Sequence, residues 1–90
     1  MSRTIQVRLA APGPELIHEF QNFGEDVYGA LREQCEVSIA EIDASTSKFH
    51  LRGIRKREVR ATIATVHKLA ARYPSLLPVE VCEMPVGADA

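Results

Sequence analysis

The sequence predicts an α+β fold: a ferredoxin-like βαββαβ two-layer sandwich, with an antiparallel sheet ordered 4-1-3-2 and two helices on one face. Three observations carry this. The chain begins with strict two-residue alternation of polar and apolar side chains. Two longer stretches, from Glu15 and from Arg57, repeat apolar residues every three or four positions. The segments between and after them return to short alternating runs bounded by turn residues.

The first strand covers Thr4 to Leu9. Ile5, Val7 and Leu9 point one way and Thr4, Gln6 and Arg8 the other. "APGP" at 11–14 stops it, because proline cannot donate to a ladder and glycine takes unusual dihedrals. From Glu15, the positions Leu16, Phe20, Phe23, Val27, Leu31 and Gln34 form one helical stripe. Pro14 suits the first turn and Glu15 the positive end of the helix dipole. Gly24 and Gly29 are poor helix formers, at about 1 kcal/mol each against alanine, so a kink near Gly24 is an expectation of this reading.

Cys35 to Ala44 reads as a second strand, with Val37 and Ile39 alternating and a bulge near Ala40–Glu41 where Ile42 slips phase. "DASTS" at 43–47 is turn chemistry, since Asp and Ser side chains bond their own backbone. Lys48 to Ile54 returns as a third strand, Phe49 and Leu51 inward, His50 and Arg52 outward, with Gly53 ending it. A second helix runs from about Arg57 to Tyr73 on an apolar face of Val59, Ile63, Val66, Ala70 and Tyr73, and Pro74 and Pro78 close it. Pro78 to Met84 gives the last strand, with Val79 and Val81 inward. One domain, 1–85, accounts for these elements, and 86–90 reads as a flexible tail.

Composition excludes several classes. An apolar content of 46% and a charged content of 26% fit an ordinary globular chain. No apolar run approaches membrane-spanning length, and the alternating start lacks the apolar core of a signal peptide. A cytoplasmic location is therefore expected. Cys35 and Cys82 fall on opposite edge strands of the expected sheet, too far apart to bond. His18, His50 and His67 are distant from both cysteines and from one another in sequence, so no metal site and no cofactor is expected.

The near-neutral total of −1 conceals segregation. Residues 1–46 hold three basic and eight acidic side chains, whereas residues 47–74 hold eight basic and one acidic. The densest part is "HLRGIRKREVR" at 50–60, where Arg52, Arg55, Lys56, Arg57 and Arg60 are answered locally only by Glu58. It falls at the start of the second helix, where the dipole is already positive and cations are mildly unfavourable. The topology brings Arg3 and Arg32 to the same pole, and the seven cations together form a candidate site for an anion or an acidic partner.

Other chemistries find less support. A base-stacking sheet needs aromatics on its central strands, but the outward positions here are Gln6, Arg8, His50 and Arg52. "RGIR" at 52–55 lacks the second glycine of a nucleotide-clamping GxxG loop. The loop after the first strand, "AAPGPE", carries no arginine to cradle an acyl phosphate. Neither cysteine has a histidine at useful spacing to act as its base. His50 is the histidine to watch, as it faces outward between cations. The reading is a non-catalytic interaction or regulatory module. It is expected to self-associate as a dimer through its edge strands and to present residues 52–60 to an acidic protein or a phosphate-bearing ligand. The alternative is a nucleic-acid-binding accessory protein that contacts phosphates through the same residues.

Overall fold

Ser2–Leu9 form β1, whose alternation resolves as expected: Ile5, Val7 and Leu9 are buried, while Gln6 is half-buried and Arg8 exposed. The structure is a computed structural model that describes residues 2–10, 14–33, 38–39 and 48–84. A 3-10 turn at Pro14–Leu16 leads into α1, Ile17–Arg32. This helix is continuous through both glycines. Gly24 is buried on its core face, and a Cβ at Gly29 would meet nothing within 4 Å. The packing of Phe20, Phe23, Val27 and Leu31 outweighs the propensity cost that suggested a kink.

Of the expected strand Cys35–Ala44, Ser38–Ile39 fall within the described residues and form β2. Cys35, the bulge near Ala40–Glu41, the 43–47 turn and the 86–90 tail lie outside them. The third strand, β3, spans Lys48–Arg55. Gly53 does not end it. On β1, Ile5 lies opposite Leu51 and Arg3 opposite Ile54, so Arg52 and Gly53 together face the single residue Thr4. This is a β-bulge, and Gly53 takes φ 83°, which glycine adopts without the Cβ clash other residues meet there. The extra residue reverses the side-chain phase: Phe49, Leu51 and Ile54 all point inward, fully buried.

A 3-10 turn at Lys56–Glu58 precedes α2, Val59–Ala70. The helix is shorter than its sequence period implied. Arg57 lies in the preceding turn and Tyr73 beyond the end, just before Pro74. Its buried face is Thr62, Val66, Leu69 and Ala70, with Val59 and Ile63 packed at the margin. A final 3-10 turn, Pro74–Leu76, buries Leu76 and leads to β4, Val79–Glu83.

β1 pairs antiparallel with β3 on one side and with β4 on the other, and β2 pairs antiparallel with β3. The order across the described strands is β2-β3-β1-β4. One apolar cluster joins the inward side of the sheet to both helices. Its centre is a set of three rings, with Phe49 5.3 Å from Phe20 and 6.1 Å from Phe23 between centroids. The result is an α+β arrangement with two helices over an antiparallel sheet. Among the described residues, no helix is long and apolar enough to cross a membrane.

Candidate anion-binding surface

Strand directions fix which charges share an end. Ser2 lies opposite Arg55, and the Met84 amide donates to the Thr4 carbonyl at 2.8 Å. The beginning of β1, the end of β3 and the end of β4 therefore meet at one pole, where α1 ends and α2 begins. The other pole holds the start of α1 and the end of α2. There the Ser75 hydroxyl donates to Glu19 and the Tyr73 hydroxyl to Asp26.

At the first pole, Arg55, Lys56, Arg57 and Arg60 are all exposed. No carboxylate among the described residues pairs with any of the four. Arg55 is extended, with φ −70° and ψ 143°, and its successors turn at once into the 3-10 segment. The first turn of α2 contains no acid, and Glu58 at its N-cap makes no capping hydrogen bond. One oxygen of Glu58, Oε2, is buried without a hydrogen-bond partner. The Val59 N–H donates to the Lys56 carbonyl, and the helix start presents its positive dipole end beside four cations.

The other three expected residues occupy different situations. Arg52 stands on β3, half-buried, within the bulge beside Gly53 and opposite Ser38 of β2. Arg3 shares the parity of buried Ile5, so it belongs to the helix-facing side of the sheet, where Glu83 lies 3.4 Å from it. That ion pair removes Arg3 from the free positive charge at the pole. Arg32 ends α1 and sits over the Tyr28 ring, 5.9 Å from its centroid, at the outer limit of a cation–π contact.

The structure adds a grouping that the linear reading divided. Because of the bulge, the outward positions of β3 are Lys48, His50, Arg52 and Arg55, all basic residue types in one row. If Gly53 instead held a regular ladder position, Arg55 would have inward parity. "KFHLRGIR" displays the basic alternation over its first five residues, but the phase change that enlists Arg55 depends on the dihedral of Gly53. Across the row on β1, Gln6 faces His50 and Arg8 faces Lys48. Arg8 Nε donates to Glu80 of β4, so that side of the face is locally neutral.

Among the described residues, no three His, Cys, Asp or Glu side chains converge as a metal ion would need, and Cys82 is a free thiol exposed on β4. Comparison with protein-family models, curated proteins and solved structures finds no match.

Proposed function

We propose that this chain is a small non-catalytic interaction module of ferredoxin-like architecture, and that it binds an anionic group at the β3–α2 junction. One observation carries the reading. Arg55, Lys56, Arg57 and Arg60 are exposed at a helix start where dipole and side chains have the same sign. Surface cations gain little from one another and repel, so their clustering is favourable only against negative charge. Phosphate and carboxylate groups both suit the guanidinium fork.

Self-association is the second part of the proposal. Among the described residues, β4 has β1 on one side only, which leaves an edge of five residues. The Met84–Thr4 hydrogen bond sets the ladder phase: Glu80 and Cys82 direct their backbone groups to β1, and Val79, Val81 and Glu83 direct theirs outward. A second copy adding antiparallel across a two-fold axis would satisfy those groups.

The anion site is tested by titrating inorganic pyrophosphate into the isotope-labelled chain and following amide shifts. Saturable shifts at residues 55–60, lost in Arg57→Ala/Arg60→Ala, are expected; unchanged amides there refute it. Sedimentation at rising concentration tests the edge. A mass that doubles, and that Val81→Pro returns to one chain, is expected, because proline at 81 removes an outward N–H and leaves the β1 ladder intact. A single-chain mass throughout refutes self-association.

A further inference from the structure

Both charges of β4 are turned back toward β1. Arg8 Nε donates to Glu80 on the open face, and Arg3 lies 3.4 Å from Glu83 on the helix-facing side. Exposed edge strands are ordinarily kept single by a free charge, a proline or a bulge. β4 uses none of these: its register with β1 runs unbroken from Val79 to Glu83, and it contains no proline. Val81 at its centre is apolar, half-buried and packed against the margin of the core. Among the described residues, no backbone hydrogen bond reaches the outward groups of Val79, Val81 and Glu83.

Symmetry narrows how a second copy fits. A two-fold axis across this edge sets one residue of β4 directly opposite its own copy. An axis at Glu80 opposes two carboxylates, and like charges so placed are destabilising. An axis at Cys82 sets Val79 opposite residue 85, a proline in the sequence, which has no N–H to donate. An axis at Val81 avoids both. It pairs all five residues of β4, joins the outward groups of Val79 to those of Glu83, and lays one Val81 side chain beside the other on the helix side. It also brings the two Glu80 residues to diagonal positions on the open face, about 7–8 Å apart.

We infer that Arg8 licenses the pairing of this edge with a second copy: by engaging Glu80 it neutralises the charge that would otherwise oppose itself across a two-fold axis at Val81. The inference rests on the self-association proposed above and adds its register and its control. Arg8 is a positioning residue that acts through Glu80. Arg3 has the lesser part, because in this register Glu83 lies opposite Val79 and far from its own copy.

The experiment measures the dimer dissociation constant of the full chain by sedimentation equilibrium, at about 50 mM and about 500 mM salt. Arg8→Gln should weaken the dimer about fivefold at the lower salt, and most of that loss should vanish at the higher, where the two Glu80 charges are screened. Arg8→Lys, Glu80→Gln and Arg8→Gln/Glu80→Gln should all dimerise as the parent does, and Arg3→Gln should change the constant less than Arg8→Gln. Cys82→Glu leaves Arg8 in place and sets a free acid directly opposite Glu80, so it should weaken the dimer more than Arg8→Gln does. Its outcome decides the register even where Arg8→Gln fails to fold. An ion pair that served the fold alone would make Arg8→Gln and Glu80→Gln equivalent. Equal effects of those two, or a Cys82→Glu dimer as tight as the parent, overturn the inference and leave self-association standing. A dimer that Val81→Pro does not dissociate overturns the β4 interface. A single-chain mass of the parent at every concentration overturns both readings.

Discussion

The Tyr73 hydroxyl donates to the carboxylate of Asp26, and the Tyr73 ring meets Phe23 with centroids 5.6 Å apart. One side chain thus joins the segment after α2 to the flank of α1, by a polar contact at its tip and an aromatic contact along its body. The hydrogen bond to Asp26 raises the Tyr73 phenol above its ordinary value, with burial and the negative charge of Asp26 adding in the same direction.

The folded state therefore holds the Tyr73 proton more tightly than the unfolded chain does. The stability from this contact is fully present below the unfolded phenol value, near pH 10, and is lost as pH rises through the higher folded value. Asp26→Asn removes the charged acceptor. The Tyr73 midpoint, followed by carbon NMR of the labelled ring, should then fall toward 10. An unchanged midpoint would show that Asp26 does not hold the proton.

Gly53 should tolerate little change. Its positive φ costs an ordinary L-residue about 1–2 kcal/mol, so Gly53→Ala should lower urea stability by that amount. Deleting Gly53 is the complementary test. It joins Arg52 directly to Ile54, so the simple two-residue period keeps Ile54 inward opposite Arg3 and Arg55 outward, and the deletion variant should fold with stability close to that of the parent. A deletion variant that loses the cooperative transition would show that the bulge does more than absorb one extra residue.

Phe49 occupies the middle of the ring cluster, fully buried between Phe20 and Phe23. Phe49→Ala should cost about 3–5 kcal/mol by transfer and cavity effects. Marginal stability at about 0.05–0.15 kcal/mol per residue makes that a large share of the total. Thermal melts should show a reduced midpoint or no cooperative transition.

Much of this architecture is legible in the sequence. The β1 alternation, the α1 stripe and the inward valines of β4 follow directly from period and side-chain size. Two features of α2 are less legible. Thr62, 2% exposed, faces the core although its type argues for the surface. Tyr73 completes the apolar period although the helix ends before it, since the residue preceding a proline is driven out of helical dihedrals. The junction cations were visible as a charge run. Removal of Arg3 by Glu83 was not, because residues 80 positions apart meet only once β1 lies between β3 and β4.

Glu80 tests how much the open face of the sheet contributes to stability. Its contact with Arg8 is exposed on both sides, with side-chain exposures of 53% and 49%, so it contributes roughly 0–1 kcal/mol to stability. Glu80→Gln should leave the melting curve almost unchanged. A midpoint lowered by more than about 8 °C would show that the pair contributes beyond that range.

The central position of β1 has a consequence for biosynthesis. It leaves the ribosome ahead of both strands that flank it, and its second neighbour, β4, is the last of the described strands to be made. Until β4 emerges, one side of this strand has no native mate. Pairing on that side must await synthesis past α2, and a nascent fragment ending within α2 would expose Val7 and Leu9 beside an open edge, where chaperones recognise hydrophobic sequence.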